Sequence, residues 1–165
     1  AYIVLCPSCG FAVKDDFMHH MAENPDMFKK AEQISGKVIS LANFLEKEGI
    51  KLTAADTPKV TYHSPCHQKR GLGTNAEELL GAIFGENFIP LNDADVCCGF
   101  GGSWSVDFPG MSKGILGKKI ENIEATGAEI VLTDCPGCVI QIKGGINKYG
   151  VKQKVMHVAE MLKEL

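Results

Sequence analysis

Glu129-Ile130-Val131-Leu132-Thr133-Asp134-Cys135-Pro136-Gly137-Cys138 decides how the rest of the chain is read. The apolar run predicts a buried strand over 129–133, and the two cysteines that follow open a helix. A helix N-terminus carries a partial positive charge that favours thiolate over thiol, and the thiolate is the form that binds metal. The same pattern stands at the other end of the chain, where Ala1-Tyr2-Ile3-Val4-Leu5 runs as a strand into Cys6-Pro7-Ser8-Cys9. A second echo follows each pair: Val38-Ile39-Ser40-Leu41-Ala42-Asn43-Phe44-Leu45 matches Val155-Met156-His157-Val158-Ala159-Glu160-Met161-Leu162. From Cys9 to Leu41 is 32 residues and from Cys138 to Val158 is 20, so the first copy carries an insertion of 12 residues with helical character. The expectation is a repeat, with residues 1–52 the tail of a first unit and 59–165 a complete second one. A strand as the opening element suggests a fragment whose natural chain continues upstream.

Outward from these anchors, apolar residues recur at helical spacing from Phe11 to Met21, and Asn24-Pro25-Asp26 breaks that run and caps a helix from about Met27. A further helix is expected to carry Val38, Leu41, Ala42 and Leu45 on one face and to end near Gly49. A polar connector, Thr53 to Pro58, leads to a strand over 59–63 that delivers Ser64-Pro65-Cys66. Next come a helix from Asn75 to about Phe84, a short strand Phe88-Ile89-Pro90-Leu91 and a helix from about Met111 to Ala125 ending near Gly127. The last helix is expected from about Val155 to the end. Strands alternating with helices predict an α/β fold with a mainly parallel sheet flanked by helices, here the C-terminal part of a duplicated cysteine-rich domain.

Between the two C-x-x-C pairs lie Cys66 and the adjacent Cys97-Cys98, separated by 30 residues, with 36 more before Cys135. Five thiols, Cys66, Cys97, Cys98, Cys135 and Cys138, delivered from three places suggest one shared centre. Two adjacent side chains do not easily occupy two corners of one small tetrahedral ion, because they leave the backbone in different directions. An iron–sulfur cluster offers separate irons as bonding points. Gly99, Gly101 and Gly102 after the pair would let the backbone approach a bulky cofactor. Competing readings are buried structural thiols, structural zinc, whose four ligands leave one thiolate over, and a glutaredoxin-like redox pair, which has no need of Cys66, Cys97 and Cys98. Cys6 and Cys9 are further candidate metal ligands, although the first unit lacks the other cysteines of the set.

His63 and His67 flank Cys66 and read as hydrogen-bond donors or packing residues. Arg70 is the only arginine among seventeen basic residues, a surface charge or a counter-charge for a thiolate-rich centre or an anionic group. Trp104 reads as packing, and the glycine spacings lack the remainder of a nucleotide-binding fingerprint.

Composition narrows the field. A net charge of −3 without a basic stripe argues against nucleic acid as a partner. No apolar run approaches the roughly 20 residues that span a bilayer, and no secretory leader is visible. Seven cysteines are an odd number, which in a chain of 165 residues points to ligands or redox groups in a reducing, cytoplasmic setting, with any membrane association through partners.

The residues Cys66, Cys97-Cys98-Gly99 and Cys135-x-x-Cys138, with His67, Arg70-Gly71-Leu72-Gly73 and Phe100-Gly101-Gly102 in support, resemble the cysteine-rich (CCG) domain family. Its members include the heterodisulfide reductase B subunit and the iron–sulfur subunits of glycolate, lactate and anaerobic glycerol-3-phosphate dehydrogenases; the supporting residues look closest to the lactate- and glycolate-oxidising branch. The resemblance implies a duplicated domain in which a full signature holds a 4Fe-4S cluster, of an unusual non-cubane form with five cysteines in heterodisulfide reductase, or zinc in some relatives. It further implies an electron-transfer role in a complex oxidising a small hydroxy acid. The partners would be a flavin-containing dehydrogenase subunit or domain and other iron–sulfur subunits. The alternatives it leaves are a disulfide-reducing subunit and a zinc-bound interaction domain.

Overall fold

The computed structural model describes residues 1–54, 57–73 and 76–165 of the chain. Strand β1 (Tyr2–Val4) leads into α1 (Pro7–Phe11), a wider π-helical turn over Ala12–Asp16 and α2 (Phe17–His20). Asn24 then caps α3 (Pro25–Ser35), its Oδ1 accepting the Met27 amide at 3.1 Å. Strand β2 (Val38–Ser40) pairs parallel with β1 and passes into α4 (Leu41–Lys47), capped by the Ser40 hydroxyl. The second part begins with β3 (Val60–Tyr62), followed by a π-helical turn at Gln68–Leu72 and α5 (Ala76–Phe84). The short α6 (Trp104–Asp107) and the long α7 (Pro109–Thr126) precede β4 (Ile130–Thr133); α8 (Pro136–Tyr149), β5 (Lys154–His157) and α9 (Val158–Lys163) complete the chain.

Strands β3, β4 and β5 form a parallel sheet in that order, with Tyr62 opposite Leu132 and Leu132 opposite Met156. Because side chains alternate along a strand, neighbouring residues of the central β4 serve two cores. Val131 packs with Leu116, Ile120 and Ile123 of α7 and Ile142 and Ile146 of α8. Leu132 packs with Leu80, Ile83 and Phe84 of α5 and Val158 and Met161 of α9. A central strand covered on both faces has no polar side to show, which is why its sequence is a continuous apolar run. Burial of both residues is complete, at 0% exposure. The result is the expected α/β arrangement, parallel sheets flanked by helices.

Three expected elements differ. Val38 to Ser40 and Lys154 to His157 are strands, not the first turns of helices; the helices start at Leu41 and Val158, where Ser40 and His157 supply caps. The echo between the two stretches is therefore one of strand followed by helix. Phe88-Ile89-Pro90-Leu91 makes a single parallel bridge, Val60 to Phe88, with the Ile89 amide on the Val60 carbonyl at 2.8 Å. Pro90 has no N–H to extend it. The expected helix start at Asn75 and the connector residues Ala55 and Asp56 lie outside the described residues.

The carboxyl ends of all five strands point into the same region, the place where open parallel sheets carry their ligands. There the turn after β1 interlocks with the turn after β3: Gly10 lies against Leu72, and a side chain at Gly71 would collide with the Phe11 ring.

Candidate metal centre

Each thiol arrives by a separate route. Strand β3 ends at Tyr62, and buried His63 follows it on the way to Cys66. Strand β4 ends at Thr133 and is followed by Asp134 and Cys135, the latter in extended backbone (φ −111°, ψ 117°), and Pro136 starts α8 with its missing N–H in the position that needs none. One turn into that helix stands Cys138. The third route is the loop after Leu91, which turns through Asp93 at φ 54° and brings in Cys97 and Cys98. Gly99 follows at φ 86°, and a Cβ there would sit 2.7 Å from the Ser112 carbonyl. Only glycine fits this position.

The sulfurs of Cys98 and Cys138 lie 3.4 Å apart, and all seven cysteines are free thiols. Cys98, Cys135 and Cys138 are buried in one core cluster, against which Cys6 and Phe100 also pack. Crowded thiols share protons unequally. The Cys98 thiol is driven strongly down, chiefly by hydrogen bonds from Cys138 and Cys97. Cys135 falls to about 5, chiefly because Cys138 donates to it. Cys138 is pushed far up by its hydrogen bonds with the Cys135 and Cys98 sulfurs and by burial, and Cys97 by its hydrogen bond with Cys98 and by burial, with the charges of Cys98 and Cys66 adding to the effect. The cluster thus holds negative charge readily at Cys98 and Cys135, as a site for a cation does.

His63 is fully buried, and its ligating nitrogen and the sulfurs of Cys98 and Cys138 lie within 4.8 Å of one another. Its Nδ1 donates to the Ala94 carbonyl at 3.0 Å. His67 faces elsewhere: its Nδ1 is 3.1 Å from the Ser8 hydroxyl and 3.7 Å from the Cys66 sulfur, and its ring meets Phe11. Ser8 also approaches the Cys135 sulfur at 3.8 Å, so the first C-x-x-C turn touches the second. Within that first turn, burial pushes the Cys6 thiol up to about 11, and Cys9 is exposed.

Of the other residues singled out from sequence, Arg70 is exposed and makes no hydrogen bond or ion pair with the described residues. Gly101 (φ 57°) rests on Trp104, which is half-buried against Phe108, and Gly102 (φ 63°) meets nothing. A cation whose charge acts on the thiols is Lys119, only 2% exposed, whose ammonium donates to the Asp93 carbonyl. Burial lowers its pKa, and the charges of Asp93 and Cys98 oppose that effect. Sequence reasoning missed it, although Lys119 stands on the stripe Ser112, Leu116, Lys119, Ile120, Ile123, where a lysine needs a buried partner.

Two more residues hold the strand ends. The Tyr62 hydroxyl donates to the buried Asp134 carboxyl at 2.6 Å, and burial raises the pKa of both groups. His157 accepts the Ala159 amide on Nδ1, so its proton is on Nε2, which donates to the carbonyls of Leu5 and Asp134, each at 2.8 Å.

A family profile described as a cysteine-rich domain, CCG, matches residues 60–143. Among curated proteins the chain is similar to lactate utilization protein A of an Exiguobacterium species, 35% identical over 161 aligned positions that cover 95% of this chain and 65% of that protein. Lactate utilization protein A of Shouchella clausii is 35% identical over 166 positions (98% and 69%), and that of Bacillus subtilis 34% over 152 (89% and 63%). The chain spans about two thirds of the length of these relatives. No helix among the described residues is long and apolar enough to cross a membrane.

Proposed function

The chain belongs to the cysteine-rich (CCG) domain family, and from that membership we propose that it is the iron–sulfur electron-transfer portion of an oxidoreductase subunit acting on a small hydroxy acid of the lactate type. The observation that carries the reading is the meeting of Cys98 and Cys138 at 3.4 Å with Cys135 buried alongside and Cys97 and Cys66 electrostatically linked to them. Five thiols exceed what one zinc ion takes, and soft sulfur donors suit iron–sulfur chemistry. The positive φ at Gly99 keeps backbone rather than side chain against the pair. In this reading Cys66, Cys97, Cys98, Cys135 and Cys138 hold a 4Fe-4S cluster.

When bound, such a cluster supplies one-electron transfer without substrate chemistry at the protein. The chain's own groups position and tune it. The Gly99 amide donates to the Cys97 sulfur at 3.3 Å, the Ser8 hydroxyl reaches Cys135, and the Lys119 ammonium offsets part of the thiolate charge. Cys6 and Cys9 would be ligands of a first repeat whose remaining residues come from outside this chain. The names of the relatives support a place in lactate utilization. The partners would be a flavin-containing subunit or domain and further iron–sulfur subunits, in the cytoplasm and at the membrane only through those partners.

One observation favours zinc as a second reading: the compact group His63, Cys98, Cys138 is a nitrogen–sulfur set that zinc accepts. Anaerobic reconstitution with iron and sulfide separates the two. The expected result is a brown protein with equal iron and acid-labile sulfide and an electron paramagnetic resonance signal on reduction. A colourless protein that takes up zinc in preference overturns the cluster.

A further inference from the structure

We propose that the His63 imidazole is a ligand of the metal centre, binding through Nε2 beside Cys98 and Cys138. The inference rests on the metal-centre reading above and adds to it a nitrogen donor outside the cysteine signature.

The protonation pattern follows from the hydrogen bonds. A carbonyl oxygen can only accept, so the 3.0 Å contact between His63 Nδ1 and the Ala94 carbonyl places the ring proton on Nδ1. In a neutral imidazole Nε2 then carries a lone pair. That atom is fully buried with no nitrogen or oxygen partner among the described residues, and the group it interacts with is the Cys98 sulfur. It stands within 4.8 Å of the Cys98 and Cys138 sulfurs, a separation that a metal with bonds of about 2.0–2.3 Å to nitrogen and sulfur would draw together. A buried lone pair that meets only sulfur, a weak hydrogen-bonding group, is poorly satisfied by the protein, and a metal shared with those sulfurs would satisfy it.

The outer contact has the form expected of a ligand. Metal-bound histidines commonly donate their second ring N–H to a backbone carbonyl, which fixes both tautomer and ring direction. Here that carbonyl is itself held, because Ala94 also accepts the Ser64 amide at 3.0 Å. The clamp therefore joins the end of β3 to the loop that delivers Cys97 and Cys98. The neighbouring histidines lack the combination. His157 spends both ring nitrogens on backbone groups, and His67 is only part-buried and turned to Ser8.

The test labels histidine with nitrogen-15 in the whole chain, reconstitutes it anaerobically with iron and sulfide, and records metal content with pulsed electron paramagnetic resonance. A parallel sample is loaded with cobalt(II), a spectroscopic stand-in for zinc. The expected result is the strong nitrogen coupling of a bound imidazole, lost in His63→Gln together with a fall in metal affinity of about tenfold or more. Stoichiometric metal with no coupling, with only the weak coupling of an N–H···S hydrogen bond, or with full coupling retained in His63→Gln overturns the imidazole ligand and leaves the thiolate centre standing. Failure of the unaltered chain to take up any metal overturns both. Should His63→Gln not fold, the labelled wild-type spectrum decides alone.

Discussion

The turns Cys6-Pro7-Ser8-Cys9 and Cys135-Pro136-Gly137-Cys138 start alike and end in different chemistry. Each follows a parallel strand, each begins with a cysteine in extended backbone (φ −128° and −111°), and each places proline at the first helical position. The first strand then shows 54% of Tyr2 and 43% of Ile3 to solvent, whereas β4 is buried on both faces. The first helix gives way to a π-helical turn after five residues, and the second runs for fourteen. Local sequence therefore sets the turn. What the turn can do is set by what meets it, and only the second meets Cys98 at 3.4 Å.

Metal content puts the contrast to its hardest trial. Cys98→Ser and Cys138→Ser are each expected to abolish most metal binding in the reconstituted chain, while Cys9→Ser leaves the metal-to-protein ratio unchanged by elemental analysis. Equal losses in all three variants would mean the two turns act as one site.

Titration gives the next largest separation. In the reduced, metal-free chain Cys135 is expected to ionise near pH 5 and Cys6 near pH 11, because one accepts a hydrogen bond from Cys138 and the other is held neutral by burial. Thiolate ultraviolet absorbance followed against pH, with Cys135→Ser and Cys6→Ser as assignments, reads this directly. Acid below Cys135's value protonates it and should release metal; alkali should not, since thiolate is the binding form.

The smallest effect concerns packing. A Cβ at Gly137 would lie 2.9 Å from the Phe100 ring, whereas Ser8, its counterpart, already carries one. Gly137→Ala is expected to destabilise the fold by about 1–3 kcal/mol in denaturant melts. Phe100→Leu in the same chain should recover part of that loss.

Reading the sequence worked best where burial and periodicity agree. The mostly β-branched run Ile130 to Thr133 is bounded by Gly127 before it and Cys135-Pro136 after it, which mark it as a short buried strand, and the helices that Asn24 and Gly127 delimit carry their stops in the residues themselves. It failed at Val38–Ser40 and Lys154–His157 because an apolar run of three or four residues has no period to distinguish strand from helix. Cysteine spacing pointed to a set that includes Cys98, Cys135 and Cys138, which lie in one core cluster. Lys119 and Ser8 were invisible to it, since their roles arise from tertiary approach across 26 and 127 residues respectively. Arg70 illustrates the converse: a rare residue beside a ligand in sequence sits on the solvent side of the turn.

The single proton on His157 Nε2 has a consequence for how the chain tolerates change. It bridges Leu5 and Asp134 through main-chain oxygens, atoms that every amino acid presents alike. At this point the seam is keyed from one side only: the ring grips main-chain oxygens, so a substitution at Leu5 leaves this pair of hydrogen bonds available. A foreign opening strand would keep this anchor, but the residues after it would still have to match the contacts that Ser8, Gly10 and Phe11 make across the seam.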